Sequence, residues 1–123
     1  MQVLLVEDQA VAAQALQLLL EEEGHEVVIA GSYAEALAAL ERQVYECVLL
    51  DLSLPDGAGS DLVPLIRQRC PRATIYAVTG SAPMEITDEG IHFTDRKVLA
   101  EQLGVDDCLS KPIDFAKLLE LIG

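Results

Sequence analysis

Five polar side chains stand at the ends of apolar runs in this chain. Glu7 and Asp8 follow VLLV (3–6), Asp51 follows VLL (48–50), Thr79 follows TIYAV (74–78) and Lys111 follows CLS (108–110). If those runs lie side by side, three carboxylates, a hydroxyl and an ammonium converge. Two carboxylates about 4 Å apart repel by about 1 kcal/mol in water and about 4 kcal/mol at an effective dielectric near 20. Lys111 offsets one charge, which leaves room for a hard divalent cation. Mg²⁺ suits carboxylate, carbonyl and water ligands where phosphoryl oxygens complete the shell. An ionised carboxylate facing such an ion, a lysine and a hydroxyl is equipped to attack phosphorus and form an acyl phosphate. Thr79 could donate to an oxygen of the transferring group. Asp51 is the residue placed to be modified.

The apolar runs must be the elements that position these groups. VLLV (3–6), VVIA (27–30), VLL (48–50), TIYAV (74–78) and CLS (108–110) are short and continuously apolar, as in strands buried on both faces. Helical patterns separate them. One runs from about Ala10 to Glu23 and stops at Gly24; one is capped by Ser32 with Glu35 at capping-box spacing. Ser60 can cap the next, with Pro64 near its first turn. Thr94 can cap another, and Asp114 caps the last, whose Phe115, Leu118, Leu119 and Ile122 share a face. Strands alternating with helices predict a doubly wound parallel α/β sheet between two helical layers. Its functional crevice lies at the carboxyl ends of the strands, where all five polar residues stand.

Composition narrows the function. At 123 residues the chain suits one domain, and 51% hydrophobic with 24% charged residues predicts a globular fold. The net charge of −13, from 8 basic against 21 acidic residues, excludes the basic face that nucleic-acid binding needs. Cys47, Cys70 and Cys108 are widely spaced and odd in number, which argues for a reducing, cytoplasmic setting without a disulfide framework. No apolar run is long enough to span a membrane.

LLVEDQ (4–9), LLDLSLPDGAG (49–59), AVTG (77–80) and DDCLSKP (106–112) together resemble the receiver domain of two-component response regulators, over essentially the whole chain. The resemblance implies a flavodoxin-like fold, a five-stranded parallel sheet of order 2-1-3-4-5 in three α/β/α layers. It implies that Asp51 accepts a phosphoryl group from a phosphohistidine on a sensor histidine kinase or histidine phosphotransfer protein, with the domain catalysing its own modification. Glu7, Asp8, Asp51 and the backbone carbonyl of Ser53 would hold Mg²⁺. Lys111 would hold the phosphoryl group, Thr79 would move to bond it as the domain switches, and the Lys111–Pro112 bond would be cis. An output domain or a downstream protein would read the switch.

Two features depart from that pattern. Cys108 stands where the family usually places the switching Tyr or Phe, and a cysteine has no ring to present. Residues 81–93 lengthen the connection between Thr79 and Lys111, and Ile86, Ile91 and Phe93 around Gly90 could form a small hairpin or lid. These departures leave open a pseudo-receiver, a protein-binding module that signals without phosphorylation. A phosphatase or flavin enzyme on a similar sheet is the third class. Against it, Ser53 stands where a second acid would follow Asp51, and the loop after the first strand carries no glycine-rich phosphate cradle.

Overall fold

The computed structural model describes residues 1–79, 84–87, 90–93, 96–110 and 113–122. Along the chain run β1 (Gln2–Val6), α1 (Ala10–Glu22), β2 (Glu26–Ala30), α2 (Tyr33–Arg42) and β3 (Cys47–Asp51). Then follow β4 (Ser53–Leu54), β5 (Gly57–Ala58), a 3₁₀ turn (Gly59–Leu62), α3 (Val63–Arg69) and β6 (Thr74–Thr79). The last elements are β7 (Met84–Thr87), β8 (Gly90–Phe93), α4 (Arg96–Leu103), β9 (Asp107–Ser110) and α5 (Phe115–Ile122).

Five strands form one parallel sheet in the order β2-β1-β3-β6-β9. Counted along this sheet alone, that is the expected flavodoxin-like order 2-1-3-4-5. The continuous apolar runs are explained by packing on both faces. Val3 and Leu5 of β1 meet Ala13, Leu16 and Leu20 of α1 and Leu118 and Ile122 of α5. Leu4 and Val6, pointing the other way, join Ala36, Ala39 and Leu40 of α2, Ile66 of α3 and Ala100 of α4. Each such leucine removed from water contributes roughly 1.5–3 kcal/mol.

Helix ends hold the layers in place. Gly24, at φ +90°, closes α1 while His25 N–H donates to Leu20 O at 3.1 Å. Ser32 Oγ accepts from Glu35 N–H at 3.1 Å, but the Glu35 carboxylate accepts from Gly31 N–H rather than from Ser32, so the capping box is shifted by one residue. Asp114 caps α5 through the amides of Ala116 and Lys117. Tyr76 Oη donates to Leu121 O at 3.0 Å and pins the far end of that helix to β6.

Ser60 does not cap α3. The chain makes a 3₁₀ turn over Gly59–Leu62, and α3 begins at Val63 with proline in its first turn. Pro64 has no N–H to give to the carbonyl of Ser60, so the α-helical ladder cannot start earlier. In the long connection after Thr79, β7 and β8 pair antiparallel with Ile86 opposite Ile91 and Met84 opposite Phe93, which is the expected hairpin. The cap expected at Thr94 lies outside the described residues.

Candidate functional site

The polar residues that end the apolar runs gather at one edge of the sheet. β1 and β3 are neighbours, with Val6 paired to Leu50, so Glu7 and Asp51 are the next residues on adjacent strands. Glu7 is 3% exposed and Asp51 2%, and they are the buried charged side chains of the described structure. Asp8 follows on the surface, just before α1. One carboxylate oxygen from each of Glu7, Asp8 and Asp51 lies within 4.8 Å of the others.

Backbone amides orient two of these acids. Gln9 N–H donates to Glu7 Oε1 at 3.1 Å, and Glu7 N–H itself donates to Ala30 O at 3.0 Å, fixing the chain as it leaves β1. Ser53 N–H donates to Asp51 Oδ1 at 2.9 Å, and Leu52 N–H donates to Val78 O at 3.1 Å, so pairing with β6 continues past the acid. Thr79 ends β6 one residue beyond Val78, the partner of Asp51, and pairs with Ser110 of β9. The next positions, Lys111 and Pro112, lie outside the described residues.

Two buried carboxylates and a third at the surface, all converging, form a hard-oxygen donor set. Their mutual repulsion is the reason such a set takes up a divalent cation. Glu7, Asp8 and Asp51 could hold it, and Ser53, exposed in β4 two residues after Asp51, could add a backbone carbonyl. Cys108 is not at the mouth of this site as a free side chain. It is 4% exposed and belongs to the core cluster of Ala77, Ala100 and Val105, on the α3–α4 side of the sheet.

The piece of structure that carries Ser53 has no periodic signal in the sequence. Residues 53–58 form a miniature antiparallel ribbon, Ser53 paired with Ala58 and Leu54 with Gly57. Its tip, Asp56, accepts from the N–H groups of Tyr33 and Ala34 at the start of α2, at 2.7 and 3.2 Å. The legible signal was the turn triplet Pro55, Asp56, Gly57; its partner, 23 residues earlier in the chain, was not legible.

A family profile described as "Response regulator receiver domain" matches residues 3–123. Among curated proteins, the chain is 33% identical over 120 residues to the sensory transduction protein RegX3 of Mycolicibacterium smegmatis, covering 98% of this chain and 48% of that protein. It is 30% identical over 120 residues to the response regulator protein PilR of Pseudomonas aeruginosa, covering 98% of this chain and 25% of that protein. The chain thus spans about half or less of the length of these relatives. Among solved structures it is similar to a CheY-like response regulator receiver domain protein from Methanospirillum hungatei. That likeness has a TM-score of 0.80 at 30% identity, over 98% of this chain and 89% of that one. It is also similar to a response regulator from Burkholderia pseudomallei described with a phosphorylated aspartic acid, calcium ion and citrate, with a TM-score of 0.81 at 27% identity, over 99% and 66%. With a profile match across nearly its whole length and the sheet order and acidic cluster described above, this chain belongs to the response regulator receiver domains, a signal-transduction family.

Proposed function

We propose that this receiver domain is a phosphorylation switch in which Asp51 accepts a phosphoryl group from a phosphohistidine on a sensor histidine kinase or histidine phosphotransfer protein. The observation that carries the reading is the convergence of Glu7, Asp8 and Asp51 at the strand ends, with Asp51 oriented by Ser53 N–H. An Asp51 carboxylate oxygen attacks phosphorus, the new O–P bond forms as the N–P bond breaks, and the donor imidazole leaves with the electron pair and takes up a proton. Glu7, Asp8, Asp51 and the Ser53 carbonyl would hold Mg²⁺, which when bound neutralises charge on the transferring group. Lys111 would neutralise more of that charge, and the Thr79 hydroxyl would donate to a phosphoryl oxygen as the domain switches.

Exposed Val11 and Leu18, two turns apart on α1 and leading away from Asp8, support a partner helix packing beside the site. The two core clusters flank a single sheet, which supports reading residues 1–123 as one domain with an extended loop near 81–93. The domain works in the cytoplasm and signals to an output domain or a downstream protein. The net charge of −13 argues against direct contact with nucleic acid. Among the described residues no helix is long and apolar enough to cross a membrane.

Buried Cys108 favours a second reading, a pseudo-receiver that binds proteins without phosphorylation, because the usual aromatic messenger is absent. One assay separates them. With Mg²⁺ and acetyl phosphate, the switch gains the mass of one phosphoryl group and Asp51→Asn gains none. A pseudo-receiver gains none in either form. Gain that persists in Asp51→Asn would place the acceptor elsewhere, and steady release of phosphate from esters would favour an enzyme.

A further inference from the structure

The ribbon of residues 53–58 is too short to hold its own shape, with only the Ser53–Ala58 and Leu54–Gly57 pairs. Both of its ends are fastened elsewhere. At the base, Gly59 N–H donates to Leu52 O at 3.1 Å, and a Cβ on Gly59 would lie 2.2 Å from the Asp51 carbonyl oxygen. At the tip, the Asp56 carboxylate takes the first two amides of α2, Tyr33 N–H and Ala34 N–H, one with each oxygen. Ser32 Oγ takes the third, so Asp56 caps two of the first three amides of a helix remote in sequence. Gly57 completes the seam: a Cβ there would lie 3.0 Å from the Tyr33 ring, so any larger residue would push the ring a few tenths of an ångström off the ribbon.

We infer that Asp56 is a positioning residue, which sets the affinity of the acidic site for its divalent cation by anchoring to α2 the ribbon that carries Ser53. This rests on the reading of Glu7, Asp8, Asp51 and the Ser53 carbonyl as the ligand set. Ser53 sits between the two fastenings, two residues from Asp51 and three from Asp56. With the tip released, the ribbon is held at its base alone, and the carbonyl is no longer aimed. Partners one step removed from a metal govern its affinity through ligand orientation. The same joint makes the first turn of α2 sense the site, because a cation that draws the Ser53 carbonyl pulls on Tyr33 and Ala34 through Asp56.

The test is Mg²⁺ titration of the 123-residue chain, followed by amide NMR and by the rise in melting temperature, for wild type, Asp56→Ala, Asp56→Asn and Ser32→Ala. Asp56→Ala should weaken half-saturation about 10-fold, Asp56→Asn, which keeps one acceptor oxygen, should fall between, and Ser32→Ala should stay within about twofold of wild type. Ser32→Ala weakens the same helix end without touching the ribbon, so it separates positioning from helix stability. In the wild type and in Ser32→Ala, but not in Asp56→Ala, the Tyr33 and Ala34 amides should shift as Mg²⁺ binds. Wild-type affinity in Asp56→Ala, or equal weakening in Ser32→Ala, overturns the inference and leaves the functional reading intact. Should Asp56→Ala fail to fold, wild-type affinity in Asp56→Asn overturns it. A wild type that takes up no Mg²⁺ overturns the ligand set itself, and the inference with it.

Discussion

Gly59 and Asp51 touch backbone to backbone: a Cβ on Gly59 would stand 2.2 Å from the Asp51 carbonyl oxygen and 2.8 Å from the Leu52 α-carbon. The chain turns back on the acid within eight residues, and only a residue without a side chain permits that approach. Gly59→Ala should therefore move the backbone beside the site and destabilise the fold by about 1–3 kcal/mol, the usual cost of overpacking. Urea unfolding of the two proteins measures it. Equal midpoints would mean the turn can relax freely.

The acidic cluster should cost the cation-free fold some stability. Glu7, Asp8 and Asp51 bring oxygens within 4.8 Å of one another, so Asp51→Asn, which keeps an oxygen for Ser53 N–H, should raise stability without Mg²⁺ by about 1 kcal/mol. Mg²⁺ at ten times its dissociation constant should stabilise the wild type by about 1.4 kcal/mol, and chelation should remove that gain. Thermal melts with and without EDTA give both numbers. A wild type indifferent to Mg²⁺ would contradict the cation site.

Thiol chemistry should be silent in the folded state. Burial pushes the Cys47 thiol up to about 12, with the Asp106 charge adding to the effect. Cys70 and Cys108 are buried as well. A disulfide reagent at neutral pH should leave all three untouched in the native protein and label all three in urea. Fast native labelling of Cys47 would show that β3 opens readily.

Acid should loosen the joint between the ribbon and α2. The Tyr33 N–H bond, aided by that of Ala34, holds the Asp56 carboxyl below the usual carboxylate range. A pKa lower in the folded chain than in the unfolded one, about 3.9 for aspartate, means stability present above that value and lost as pH falls through the folded value. The stability difference between wild type and Asp56→Asn should thus be constant near neutral pH and shrink below about pH 4. Glu35, the other carboxylate at this helix end, is common to both proteins and cancels in the difference. Urea midpoints against pH provide the check, and a gap unchanged at pH 3 would contradict it.

The architecture and the acidic centre were legible because their signals are local and strong. VLLV, VLL and TIYAV announce strands buried on both faces, and each stops on a polar residue, so the rule about strand ends brings Glu7, Asp8, Asp51 and Thr79 to one edge. The caps at Ser32 and Asp114 could be read because cap and helix are neighbours in the chain. The start of α3 departs from the cap spacing for a related reason: Ser60 has cap chemistry, but Pro64 controls where the hydrogen-bond ladder can begin.

Sequence by itself determined which residues carry charge, which runs must be buried, and hence the order of layers in which a carboxylate edge arises, because hydrophobic periodicity and local capping act between residues close along the chain. Tertiary structure alone decided that Asp56 caps a helix beginning 23 residues before it, that Gly59 must be glycine against Asp51, and that Cys108 is a core residue. Those are contacts between segments distant in the chain, set by how the layers close on one another, and no spacing in the sequence encodes them.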